Sequence, residues 1–188
     1  RDGTRLAELL AEAVAVSDGP TVVRFPGKLS VGAEAEAVGQ VGGMDVLAQP
    51  DGPGAPDVLL VGAGPMAVMC LATASRLADQ GIRVTVLDPR WTKPVDPALA
   101  DIAAQARLVA TVEDNGLAGG FGDAVCRLLR DADVRTPVRT FGLPQRFLDH
   151  GSRDEVLDEV GLVPQHLARQ ITEAVARLDP ELANHPQG

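Results

Sequence analysis

The stretch "DVLLVGAGPMAVMCLATASRLADQGIRVTVLD", residues 57–88, constrains the fold more than any other part of the chain. A short apolar run, 57–62, is bounded by glycines and is too brief for a core helix, so it reads as a strand buried on both faces. Pro65 then stands where a first helical residue needs no amide hydrogen, and 65–80 continues as an apolar helix. A second strand, 82–87, closes on Asp88. Strand, helix and strand in this order make a βαβ unit, which calls for a parallel sheet covered by helices.

The rest of the chain extends that unit. Residues 108–112 and 138–141 read as further buried strands, with a helix near 120–131 between them. Asp96 followed by Pro97 marks a helix start. Ser152 and Glu155 have the spacing of a capping box, and the helix they open should run to about 159. A final amphipathic helix, about 165–178, places Leu167, Ile171, Val175 and Leu178 on one face. The expected fold class is therefore α/β, three layers with a mostly parallel sheet.

The first 56 residues differ in character. Leu6, Leu9, Leu10 and Val14 mark an amphipathic helix over 4–17, and 21–25 reads as a buried strand. One helix and one strand cannot bury their apolar faces alone, so they look like the closing unit of a preceding α/β domain. Residues 30–56 are rich in Gly, Pro, Ala and acidic residues and read as a linker carrying one edge strand, 44–49. The chain opens at Arg1 without a Met or a signal-peptide pattern, and is expected to belong to a longer polypeptide.

Charge excludes some classes of partner. With 17 basic against 26 acidic residues the net charge is −9, which disfavours both nucleic acid and an anionic membrane surface. No run approaches the ~20 apolar residues of a membrane helix. Cys70 and Cys126 each sit in an apolar stretch and read as reduced thiols, so the expected location is the cytoplasm. His150, His166 and His185 are too scattered for a metal site and are expected at the surface.

Gly62-Ala63-Gly64-Pro65-Met66-Ala67, with Asp88 at the end of the next strand, invites a dinucleotide reading. Glycines would admit a pyrophosphate to the helix N-terminus, and the acid would take a ribose hydroxyl. The competing reading is mechanical: small residues let the helix cross close over the strand.

Three later motifs bear on the choice. They are Lys93-Pro94-Val95-Asp96; Glu113-Asp114-Asn115 with Gly119-Gly120; and Gly142-Leu143-Pro144 with Phe147, Gly151 and Gly161-Leu162. Together they resemble the C-terminal domain of the transketolase superfamily and, within it, the 1-deoxy-D-xylulose-5-phosphate synthase family. "GPTVVRFPGK" is similar to the end of that family's pyrimidine-binding domain, so the resemblance spans residues 4 to about 178.

The resemblance implies that residues 1–29 end the pyrimidine-binding domain, 30–56 link, and 57–188 form the C-terminal domain, which takes no nucleotide. It implies a homodimeric transferase that uses thiamine diphosphate and Mg²⁺, both held by upstream domains, to condense pyruvate with D-glyceraldehyde 3-phosphate as CO₂ is lost. This portion would be structural and dimerising, with no catalytic, cofactor-binding or metal-binding residue of its own. Arg24 and Lys28 are the residues it assigns to the substrate phosphate, although "RFPGK" shifts the second cation by one position. Two alternatives are a stand-alone NAD(P)-binding module and a non-catalytic transketolase-like interaction domain.

For Glu113 and Asp114, neighbours on a strand end point to different faces, which favours a turn or interface role over an acid/base pair. Gly116, Gly119, Gly120 and Gly122 are expected to serve close packing of helix on sheet, and Trp91 to pack at a domain or subunit junction.

Overall fold

The computed structural model describes residues 1–27 and 35–178. The elements are α1 (Gly3–Ala15), β1 (Gly39–Val41), β2 (Met44–Ala48), β3 (Val58–Gly62), α2 (Met66–Ala78), β4 (Val84–Asp88), α3 (Ala98–Ala103), β5 (Leu108–Gly116), α4 (Phe121–Asp131), β6 (Val138–Leu143), α5 (Arg153–Glu159) and α6 (Pro164–Ala176). The strands form one sheet in the order β1-β2-β4-β3-β5-β6. β4, β3, β5 and β6 run parallel, and the β1–β2 hairpin adds antiparallel to β4.

Val58, Leu59, Leu60 and Val61 are all fully buried, as expected of a strand with helices on both faces. Alternation along that strand sorts them into two cores. Val58 and Leu60 join α2 and α6 residues such as Cys70, Leu77, Leu167 and Ile171 on one face. Leu59 and Val61 join Leu99, Phe121, Val125 and Leu129 of α3 and α4 on the other. The three-layer α/β architecture is as the sequence implies.

Two local expectations differ from the structure. The strand expected over 21–25 is not formed: these residues are irregular, with Val22 88% and Phe25 56% exposed. A strand needs a neighbour to pair its amides and carbonyls, and no strand among the described residues lies against this run. The second difference is β2, which is second from the edge rather than at it. The short strand Gly39–Val41, hidden in a glycine-rich run, occupies the edge instead.

Candidate functional site

In open parallel sheets, ligands bind beyond the carboxyl ends of the strands, and the two candidates raised by the sequence, the glycine turn and Arg24, both lie there. At the β3–α2 turn, a Cβ on Gly62 would stand 2.6 Å from the Ala67 Cα and 2.8 Å from the Cys70 sulfur. Helix α2 therefore lies almost directly on β3, and Gly62 is required by that approach. Gly64 has φ +58° with open space around it, so it serves the turn's backbone conformation. The Cys70 thiol below is fully buried, and burial, with Asp88 adding a smaller effect, raises its pKa far above the ordinary value.

Asp88, the residue a dinucleotide would need, is 2% exposed and both its oxygens are engaged. Oδ1 accepts the Arg90 amide hydrogen at 2.9 Å and Oδ2 accepts from Arg1 Nη1 at 2.7 Å. The same Arg1 nitrogen donates to Asp45 Oδ2 at 2.7 Å, and Arg5 Nη2 lies 2.6 Å from that oxygen. Asp45 and Asp88 stand opposite each other on β2 and β4, so two carboxylates converge on one guanidinium. Burial acting on Asp45 favours the neutral acid, but hydrogen bonds from Arg1 and Gln40 and the charges of Arg5 and Arg1 outweigh it, leaving its pKa below the ordinary carboxylate value.

These contacts fasten helix α1 to the sheet. Asp2 caps α1 by accepting the Arg5 amide hydrogen at 2.8 Å. Further along, Glu12 pairs with Arg90 and accepts from the Trp91 indole at 3.1 Å. Trp91 therefore meets helix α1 where α1 lies against the end of β4.

The carboxyl end of β5 holds a second attachment. The pairing with β6 slips between Val112 and Gly116, a bulge that turns successive side chains in different directions. Glu113 turns inward, 2% exposed, and accepts the amide hydrogens of Phe121 at 2.7 Å and Gly122 at 2.8 Å. It thus fills the N-terminus of α4, where unpaired amides and the helix dipole favour a negative charge. Asp114 turns outward to Arg153 at 2.9 Å. Arg24 donates to the Asp114 carbonyl at 2.9 Å and weakly to Asn115 Oδ1 at 3.4 Å. Lys28, the second cation singled out from sequence, lies outside the described residues, as does His185.

Of the four glycines expected to pack helix on sheet, only Gly122 does so. Gly119 has φ +74° with open space around it and serves the turn, a Cβ on Gly116 would stand 2.6 Å from the Gln145 side chain, and Gly120 makes room for a carboxylate. A Cβ on Gly120 would meet Glu113 Oε1 at 2.6 Å, and one on Gly122 would meet Thr140 and Thr111 at 2.7 and 2.8 Å. The Ser152–Glu155 capping box is formed, and the hydrogen bonds that Ser152 donates through its hydroxyl and backbone amide lower the Glu155 pKa. His150 and His166 are exposed.

Among the described residues no group of three or more His, Cys, Asp or Glu side chains is placed to hold a metal. The convergent carboxylates Asp45 and Asp88 are paired with Arg1, and Asp45 also with Arg5. No described helix is long and apolar enough to cross a membrane.

Comparison with known families agrees with this geometry. Residues 48–167 match the model for the transketolase C-terminal domain. The chain belongs to that family. It is 58% identical over 188 residues to the 1-deoxy-D-xylulose-5-phosphate synthase of Thermobifida fusca (strain YX), a match covering 99% of this chain and 29% of the relative. Identity to the enzyme of the same name from Frankia casuarinae is 56%, over 99% of this chain and 28% of the relative. The chain thus spans less than a third of the length of these relatives. Among solved structures, a split-gene transketolase described as an inactive β4 tetramer superposes with a TM-score of 0.63 and 27% identity, over 70% of this chain and 42% of that one. Family membership and the occupied Asp88 together set aside the dinucleotide-binding module.

Sequence reading missed the Arg1–Asp45–Asp88 cluster and the role of Arg153. One signal was available: Asp45 interrupts the apolar run of a strand, and a carboxylate there is almost never buried without a partner. The identity of the partner, Arg1, lay 44 residues away and had no local mark.

Proposed function

We propose that this chain works as the C-terminal part of a 1-deoxy-D-xylulose-5-phosphate synthase, a transferase that condenses pyruvate with D-glyceraldehyde 3-phosphate and releases CO₂. The observation that carries this reading is identity of 58% across 99% of the chain to an enzyme of that name. The product of that reaction supplies isoprenoid precursors and the synthesis of thiamine and pyridoxal. Thiamine diphosphate with Mg²⁺ would supply the electron sink for decarboxylation, bound by parts of the enzyme other than the residues described above.

On this reading residues 1–29 end the pyrimidine-binding domain and 57–188 form the C-terminal domain, with 30–56 joining them and adding the β1–β2 hairpin to the latter's sheet. The sheet with its helices buttresses the neighbouring domain and a homodimer in the cytoplasm. Arg24 and Lys28 bring cationic charge to the side on which the phosphorylated aldehyde is met. Support comes from the exposed apolar side chains Val14, Val22 and Phe25, which mark the N-terminal segment as a surface made to be covered. The split-gene transketolase, inactive as a β4 tetramer, sets a precedent for a portion of such an enzyme assembling without activity.

The test is to assay CO₂ release from pyruvate, dependent on D-glyceraldehyde 3-phosphate and thiamine diphosphate. The 188-residue chain should be inactive, and the same chain joined to the preceding polypeptide should be active. Turnover by the short chain, or saturable NAD(H) binding to it, would overturn the reading; an inactive joined protein would instead favour a non-catalytic interaction domain.

A further inference from the structure

Arg24 and Lys28 come from sequence as a pair of phosphate cations, yet Arg24 is already committed. One guanidinium nitrogen donates to the backbone carbonyl of Asp114 at 2.9 Å and the other reaches Asn115 Oδ1 at 3.4 Å. Both acceptors lie in the β5 bulge, whose position is itself held from two sides. Glu113 pins it inward to the α4 N-terminus. Arg153 grips the Asp114 carboxylate through Nε at 3.2 Å and Nη2 at 2.9 Å. Arg153 is the first residue of α5 and follows directly on Ser152 of the capping box, so the start of that helix fixes where the guanidinium stands. The irregular run 21–27 makes no pairing with the sheet, and its hydrogen bonds across to the rest of the chain, among the described residues, are those of Arg24.

We propose that Arg24 is a positioning residue rather than a phosphate ligand. It acts as a strut that ties the segment 21–27 to the bulge at Asp114 and Asn115, with Arg153 steadying the far side. A planar guanidinium suits this task because it serves a carbonyl and an amide oxygen at once from fixed directions. The proposal deepens the functional reading above and rests on it: the segment matters for substrate only through Lys28, which follows it in sequence and is the other cation assigned to the acceptor phosphate. It also assigns roles to Asn115 and Arg153, which touch no substrate.

Two measurements separate the possibilities. In the 188-residue chain, Arg24→Ala, Asn115→Ala and Arg153→Gln should speed cleavage by proteinase K within 21–27 and leave cleavage in α1 unchanged. Arg24→Lys should restore part of the protection. In the complete enzyme, Arg24→Ala and Asn115→Ala should each raise KM for D-glyceraldehyde 3-phosphate about three- to fivefold, the scale of one exposed charged contact. The double variant should be no worse than either single one, and kcat and the pyruvate KM should not move.

Unchanged cleavage in Arg24→Ala would overturn the strut whatever the kinetics. So would a KM effect confined to Arg24 variants, with Asn115→Ala like the parent, because Arg24 would then meet the phosphate itself. Faster cleavage in an enzyme that shows no saturation by the phosphorylated aldehyde would refute the functional reading, and with it the positioning role, leaving a structural anchor alone.

Discussion

The β3–α2 and β5–α4 turns are both glycine-marked passages from a parallel strand into a helix, and they solve the junction differently. At β3–α2 the helix rests on the strand at Gly62, and α2 begins without a side-chain cap. At β5–α4 the strand bulges and delivers Glu113 to the amides of Phe121 and Gly122. The first turn is a packing device and the second an electrostatic one. A motif written in glycines therefore says that backbone must come close to something, and leaves open whether that is a helix, a carboxylate or a ligand.

Four experiments can break or sharpen this contrast. The largest effect should come from Gly62→Val: a branched side chain would drive into the Ala67 backbone, which cannot yield as a side-chain tip can. A loss of about 3 kcal/mol in urea unfolding is expected, whereas Gly64→Ala, strained only by its φ of +58°, should cost about 1 kcal/mol. Equal losses would refute the division of labour within that turn.

Next is Glu113→Ala, which strands two buried amides and should cost about 2 kcal/mol. Glu113→Gln, able to accept through its carbonyl oxygen, should retain part of that. A neutral alanine variant would show that α4 does not depend on the carboxylate.

Third is the attachment of α1. The folded-state pKa of Asp45 is depressed, so its stabilising contribution is complete above the unfolded carboxylate value near pH 4 and is lost as pH falls through the lower folded value. Trp91, the single tryptophan, donates to Glu12 on α1 and reports this contact. Its emission should shift as pH falls below about pH 4. Emission that does not respond there, short of global unfolding, would mean that Asp45 does not control the docking. The smallest effect belongs to Phe147→Ser: that side chain is fully exposed, and stability should change by no more than about 0.5 kcal/mol.

Much of this architecture was legible in the residues because periodicity and capping are local signals. The run 57–88, the strand at Leu108 and the box at Ser152 each state their conformation within a dozen neighbours. The mechanical meaning of Gly62 could also be reasoned out, since close approach is what a missing side chain permits. What escaped was non-local. Thr21–Phe25 has strand composition but finds no strand beside it, so propensity had nothing to act on. Gly39–Val41 has poor strand composition and forms one because the hairpin register with β2 imposes it. The partners of Asp45, Asp88 and Arg24 are set by how the elements come together, and no spacing rule links residues 44, 87 or 90 positions apart.

The register of β2 against β4 has a last consequence. Asp45 and Asp88 are direct cross-strand neighbours, and like charges so placed repel. The seam is therefore not self-sufficient: it closes when cations arrive from elsewhere in the chain, and Arg1, with Arg5 beside it on Asp45, supplies them. Evolution could relax the seam by neutralising either acid. Keeping both ties the integrity of one sheet margin to the docking of the chain's first residues.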